Sequence, residues 1–100
     1  MDNNIYYNPE KYGLTTVAEI DYSDGCYQFD IRIVWQDRNG KLWTARDSGC
    51  SCPSPFENDS LHTLEKYSYR AVRSEALAEA KRTYGYNGDD VSKFIEQLPR

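Results

Sequence analysis

The chain has 100 residues, with 16 acidic and 12 basic side chains and a formal net charge of −4. This length suits one small domain over residues 1–100 and excludes a large enzyme of several parts. Hydrophobic residues make up 39% of the chain and aromatic residues 14%, so we expect a folded domain with a thin core that is built largely of rings.

Charge and apolar patterning also limit the partners. The sequence pI is about 4.9, whereas tight nonspecific nucleic-acid binding needs clustered Lys and Arg, so we expect no nucleic-acid partner. No apolar run approaches the roughly 20 residues that a membrane helix needs. The start, Met1-Asp2-Asn3-Asn4, lacks the basic and then apolar pattern of a secretion signal. These features predict a cytoplasmic protein without a membrane partner.

The first half of the chain predicts an arm followed by three strands. Residues 1–13 are rich in Asn and Tyr and predict an irregular arm. Alternation over residues 14–22 predicts a strand with one face formed by Leu14, Thr16, Ala18, Ile20 and Tyr22. The clearest alternation predicts a central strand whose apolar face is formed by Tyr27, Phe29, Ile31, Ile33 and Trp35. Residues 37–40 read Asp-Arg-Asn-Gly and predict a tight hairpin into a third strand over residues 41–47.

The second half predicts a loop, a short edge strand and two helices. Two prolines stiffen residues 48–59 and exclude a helix or central strand there, and residues 64–69 favour an edge strand. Helix formers over residues 71–84 carry an apolar stripe at Val72, Ala76, Leu77, Ala80 and Tyr84. A second helix starts with Asp89 as N-cap and buries Val91, Phe94, Ile95 and Leu98.

This element order predicts an α+β fold. Residues 14–69 form an antiparallel meander sheet of three to four strands, and the two helices of residues 70–99 cover one face of it. We expect the helices to cover the apolar face of the central strand. Two short helices leave the other face open, where Val17, Val34 and Trp43 lie, and this exposure allows a homodimer.

The most distinctive segment is the run at residues 49–57, Gly-Cys-Ser-Cys-Pro-Ser-Pro-Phe-Glu. Together with Tyr-Tyr-Asn-Pro-Glu-Lys at residues 6–11 and Tyr-Gln-Phe-Asp at residues 27–30, it resembles a family of small uncharacterised proteins from phages that infect actinobacteria. The resemblance covers about residues 5–70. It implies a phage protein that works in the cytoplasm of the infected host, and it implies no catalytic residues.

The same loop supplies the candidate binding residues, which are Cys50, Ser51, Cys52, Pro53, Pro55, Phe56 and Glu57. A stiff Pro-x-Pro segment that carries an aromatic ring loses little entropy on binding, so Phe56 could anchor a partner protein. Alternatively, the ring of Phe56 folds back and plugs the end of the sheet. The leading functional hypothesis is a non-enzymatic phage protein that binds and modulates a host protein.

Two other functions stay open at this stage. A small-ligand protein could sequester a nucleotide signal with Arg32, Arg46 or Tyr side chains. A zinc- or thiol-dependent protein could use Cys26, Cys50, Cys52 and His62, since thiolate and imidazole are zinc ligands. Structural zinc sites usually pair cysteines two to four residues apart, and this spacing differs, so we expect no cofactor.

Overall fold

The computed structural model describes residues 4–23, 28–50, 55–57, 59–82 and 88–100. An antiparallel sheet has the order β1-β2-β3-β4, with β1 at Thr15–Asp21, β2 at Gln28–Gln36, β3 at Leu42–Cys50 and β4 at Glu65–Lys66. Two helices follow, α1 at Tyr69–Arg82 and α2 at Gly88–Gln97, and a short 3₁₀ turn occupies Pro9–Tyr12 in the N-terminal arm. The predicted α+β class is confirmed. Neither helix in these ranges is long and apolar enough to cross a lipid bilayer.

The hairpin between β2 and β3 forms where the sequence predicts it. The N–H of Gly40 donates to the Asp37 carbonyl at 3.0 Å, and Gly40 has φ +82°, which glycine adopts without strain. The Asp37 carboxylate accepts the Trp43 indole N–H at 3.1 Å and the Lys41 backbone N–H at 2.9 Å. These bonds, the Trp43 bond first, hold the pKa of Asp37 below its ordinary value.

Strand β3 is longer than predicted. Residues 48–50, which the sequence assigns to the loop, pair with residues 28–30 of β2. Ser, Gly and Cys have little intrinsic preference for strands, so the pairing partner and not local propensity extends the strand. Strand β3 therefore extends to Cys50, past its predicted end at residue 47.

The helices cover the face of the sheet opposite to the predicted one. Alternate residues of β2 point to opposite faces, and Val34 lies under the helices whereas Ile33 and Trp35 do not. We call the Val34 side the helix face, and its buried cluster contains Ala18, Ile20, Tyr22, Val34, Val72, Ala76, Ala80, Val91, Phe94 and Leu98. The helix stripes are thus confirmed for the described residues, and Tyr84 of the first stripe lies outside them. The prediction of the sheet face on which the helices pack is wrong.

The N-terminal arm, Phe56 and Leu64 cover the other face, which we call the aromatic face. Its buried cluster contains Ile5, Leu14, Phe29, Ile31, Ile33, Trp35, Ala45, Phe56 and Leu64. Trp35 and Ile33 are 0% and 1% exposed, so the cover is complete at the centre of the sheet. Both faces are therefore covered within one chain, and the open face that favoured a homodimer is absent from the described structure.

A β-bulge in β1 explains why the first strand serves both faces. Thr16 pairs with Trp35, but the next pair joins Ala18 to Val34, so Val17 is an additional residue. One extra residue reverses the alternation of side chains. Leu14 therefore belongs to the aromatic face and Ala18 to the helix face, and the prediction of a single face over residues 14–22 is wrong.

The remaining boundaries differ from prediction by a few residues. The predicted edge strand over residues 64–69 is reduced to β4, which has two residues that pair with Trp43 and Thr44. Helix α1 begins at Tyr69, two residues before its predicted start. Helix α2 begins at Gly88, which places Asp89 in its first turn.

Candidate functional site

The structure describes only part of the predicted binding loop. Ser51, Cys52 and Pro53 lie outside the described residues, and so does the side chain of Cys50. Within residues 55–57, Pro55 is half-buried, Phe56 is buried and Glu57 is exposed. The binding role of the loop therefore stays a prediction, but the position of the aromatic ring is determined.

Phe56 plugs the aromatic face of the sheet. Its side chain is 0% exposed, and its ring lies edge-on to Trp35 with 5.7 Å between the ring centroids. The Phe56 N–H donates to the Asp47 carboxylate at 2.8 Å, and this bond fixes a backbone with φ +59°. The expectation of an exposed Phe56 is wrong, and the alternative, that the ring folds back onto the sheet, is confirmed.

Asn4 joins the N-terminal arm to the segment at residues 55–57. Its side-chain N–H donates to the Pro55 carbonyl at 2.9 Å, across 51 positions of sequence. The Asn4 side-chain oxygen accepts the backbone N–H of Tyr6 at 2.7 Å and that of Tyr7 at 3.2 Å. The side chain of Asn4 thus fixes both the segment at residues 55–57 and the turn that carries Tyr6 and Tyr7.

Four aromatic rings connect the core to the surface. Phe56 touches Trp35 on one side and stacks on Tyr6 on the other, with 5.6 Å between the Phe56 and Tyr6 centroids. Tyr6 in turn meets Tyr7 edge-on at 5.0 Å. We call Trp35, Phe56, Tyr6 and Tyr7 the ring chain. It runs from a ring that is 0% exposed to Tyr7, which is 56% exposed.

The hydroxyl of Tyr6 fastens the arm to β1. It donates a hydrogen bond to the Glu19 carboxylate. Burial and then the Glu19 bond raise the pKa of Tyr6 well above its ordinary value, so its hydroxyl stays protonated and remains a donor. Tyr6 supports the ring of Tyr7, and Tyr6 itself is held by ring packing, by Asn4 and by this bond.

A buried ionic cluster joins the helix face of the sheet to α1. The Arg32 Nε donates to Glu79 at 3.3 Å, and its Nη2 lies 2.8 Å from Glu75. The Tyr22 hydroxyl donates to Glu79 at 2.7 Å. The side chains of Arg32 and Glu79 are 5% and 6% exposed. Glu79 was not a candidate in the sequence because a single acidic residue beside an apolar stripe usually faces water.

Hydrogen bonding inside this cluster outweighs burial. Burial alone would lower the pKa of Arg32. The hydrogen bond and the charge of Glu79 raise this pKa by more than burial lowers it, so the pKa lies above its ordinary value. Burial, followed by the Glu79 bond, raises the pKa of Tyr22 above its ordinary value. Arg32 thus stays charged and Tyr22 stays neutral between sheet and helix.

The two arginines proposed for nucleotide binding are held in ion pairs. Arg32 lies in the buried cluster, and Arg46 forms a fork with Asp30, whose two bonds measure 3.1 and 3.0 Å. Arg46 also lies 3.6 Å from Glu79. The nucleotide hypothesis stays a prediction, and both of its arginines are engaged by carboxylates in this structure. A cavity of about 370 Å³ near Asp30 is lined by Arg82 and by polar groups of β2 and β3.

The zinc and thiol hypothesis stays a prediction. Cys26 and Cys52 lie outside the described residues, and His62 is exposed on the turn that follows Asp59. In the part of the chain that the structure describes, no three metal-ligating side chains are grouped to hold an ion.

Comparison with known proteins places the whole chain in one family. A family model described as a domain of unknown function (DUF7574) matches residues 3–99. The chain belongs to this family. The match includes the arm, the sheet and both helices, and so extends past the predicted resemblance at residues 5–70. Neither the curated proteins nor the solved structures include one that is significantly similar to this chain.

Proposed function

We propose that this chain is a non-enzymatic binding protein that contacts a partner protein through Tyr7. The observation that carries the proposal is the position of Tyr7, which is 56% exposed at the end of the ring chain. In the described part of the chain, Tyr7 and Leu61, at 48%, are the large hydrophobic side chains that are most exposed. Tyrosine is among the residues that contribute most to binding energy at protein interfaces.

The supports of Tyr7 favour binding for a thermodynamic reason. Ordering a flexible side chain and its backbone on association costs free energy, and rigid presentation removes part of that cost. The Tyr7 backbone N–H is already bonded to Asn4, and its ring already rests on Tyr6. A partner would therefore meet a ring that is already positioned.

The proposal also includes the origin and the partner. The resemblance of residues 49–57 to small phage proteins supports a phage protein that acts on a host protein in the cytoplasm of an infected bacterium. Cys50, Ser51, Cys52, Pro53 and Glu57 keep their predicted role in binding the partner. Glu57 is exposed.

The proposal is tested by capture of partners from an actinobacterial host lysate with tagged protein. Tyr7→Ala should abolish the capture of a specific host protein, and Tyr7→Phe, which keeps the ring, should retain it. Leu61→Ala is the matched control because it removes an exposed apolar side chain from a different turn. All variants should show the circular dichroism spectrum and melting temperature of the unmodified chain, since Tyr7 lies outside the buried cluster.

Equal capture by the unmodified chain and Tyr7→Ala would refute the proposal. Equal loss in Tyr7→Ala and Leu61→Ala would show nonspecific adhesion of apolar surface and would refute it as well.

A further inference from the structure

Within the described residues, the outer edge of β1 presents backbone groups that no other strand pairs. The Tyr22 N–H donates to the Asp30 carbonyl at 2.8 Å, so the backbone of Tyr22 points toward β2. Residues of an antiparallel pair alternate between bonding inward and pointing outward. Ile20, paired with Arg32, therefore bonds inward, and the backbone groups of Glu19 and Asp21 point away from β2. The described residues place no strand on that outer side.

A groove follows this edge. It measures about 410 Å³ and runs between β1 and α2. Its lining includes the buried residues Ile20 and Phe94, together with Lys93 and Gln97 from the helix. An extended peptide placed along the edge could therefore pair with the backbone of β1 and direct alternate side chains toward the groove.

The charge of the edge selects the occupant. Glu19 and Asp21 carry their carboxylates on the aromatic face of β1, beside the position that an added strand would take, while Lys93 lies on α2 in the groove. Glu19 accepts the neutral Tyr6 hydroxyl, and Asp21 accepts neutral N–H and O–H groups of Ser23, so these bonds do not cancel the negative charge. A segment rich in lysine or arginine fits this edge.

A second copy of the chain fits the edge poorly. Glu19 and Asp21 are two positions apart, so their side chains project from the same face of β1. In a symmetric antiparallel pairing of two β1 edges, carboxylates would lie opposite or diagonal to carboxylates. Like charges in such positions destabilise a sheet.

We propose that β1 accepts a basic, extended segment of the partner protein as an additional strand of the sheet. This inference rests on the proposed function and names how the partner is held. The Tyr6 hydroxyl bond to Glu19 joins the support of Tyr7 to this same strand, so ring and edge form one continuous contact.

The test uses a synthetic peptide of about seven residues that alternates lysine and valine, long enough for one strand. Its binding to the full chain is measured by fluorescence anisotropy. Methylation of alternate backbone nitrogens should weaken binding by at least about tenfold, because methylated nitrogens cannot donate to the strand. Replacement of lysine by glutamate should weaken it by a similar factor.

Two tryptophan variants locate the site on the protein. Gln97→Trp fills the groove and should weaken binding by about tenfold or more. Ser92→Trp is the matched control, because Ser92 is exposed on the same helix outside the groove. In hydrogen exchange, the amides of Glu19 and Asp21 should gain protection when the peptide is bound.

Three results would overturn the inference. They are an absence of peptide binding, binding that is insensitive to backbone methylation, and protection of these two amides by dimerisation of the free chain. Failure here leaves the proposed function standing if capture of a host protein still depends on Tyr7. Loss of Tyr7 dependence with normal peptide binding would refute the proposed function alone.

Discussion

At the scale of single residues, Glu79 is the side chain that joins α1 to the sheet. It bonds to Arg32 and Tyr22 and lies close to Arg46. A buried ion pair contributes little compared with apolar packing, but the loss of one partner leaves the other charge buried without compensation. Glu79 therefore sets how firmly α1 is held.

Glu79→Gln should lower the free energy of unfolding by about 3 kcal/mol, since Arg32 would keep its charge in a buried site. Glu75→Gln is the matched control on the same helix. The Glu75 side chain is 50% exposed, so its loss should cost less than about 1 kcal/mol. Urea unfolding followed by circular dichroism measures both values. Equal losses of unfolding free energy in the two variants would contradict the role of Glu79 in the buried cluster.

Tyr22 makes stability sensitive to alkaline pH. Its folded pKa is raised, chiefly by burial and then by the Glu79 bond, while the unfolded chain ionises near the ordinary value of 10.0. The stabilisation is therefore complete below pH 10 and decreases above it, by up to about 1.4 kcal/mol per pH unit. Tyr22→Phe should lose less stability than the unmodified chain between about pH 9 and about pH 11. If urea unfolding showed the same loss of stability in both proteins over this pH range, Tyr22 would ionise freely in the folded state, which would contradict the prediction.

At the scale of elements, the crossing at residues 55–57 is a structural cover and not a free display loop. Phe56→Ala should destabilise the chain by about 3–5 kcal/mol, because it removes a fully buried ring. Tyr7→Ala is the matched control and should leave the melting temperature nearly unchanged. A thermal melt of both variants decides this, and an unaffected Phe56→Ala protein would place the ring outside the core.

The helices and the hairpin could be predicted from local patterns, whereas the faces of the sheet could not. The stripes at Val72 and Phe94 need only helical periodicity, and the turn at Gly40 needs only local backbone preference. The bulge at Val17 reverses which face the side chains of β1 point to, and no sequence pattern marks its position. The alternation of β2 identifies its apolar face correctly, but it does not tell which segment covers that face, and the helices pack on Val34 and the apolar residues of β1 instead.

The candidate site was predicted only in part for a related reason. The sequence located an aromatic residue in a stiff loop, but the Asp47 bond that turns Phe56 inward lies nine positions away. Tyr7 is exposed through contacts that connect residue 4 to residue 55 and Tyr6 to Glu19. Such long-range contacts leave no periodic pattern, so the arm appeared irregular.

At the scale of the whole molecule, we expect a monomer. Both faces of the sheet are covered within the chain, and the β1 edge carries carboxylates that oppose self-pairing. Light scattering on the purified protein should return a mass near 11.6 kDa at all accessible concentrations. A mass twice as large would contradict this expectation.

The central claim is that the ring chain lies on the aromatic face, away from the helices, and carries Tyr7 to the surface. A nuclear Overhauser spectrum of the free protein tests it most directly. We predict cross-peaks from Trp35 to Phe56, from Phe56 to Tyr6 and from Tyr6 to Tyr7, whose ring centroids are 5.7, 5.6 and 5.0 Å apart. Cross-peaks from the Trp35 indole to the methyl groups of Val72 or Ala76 would contradict it.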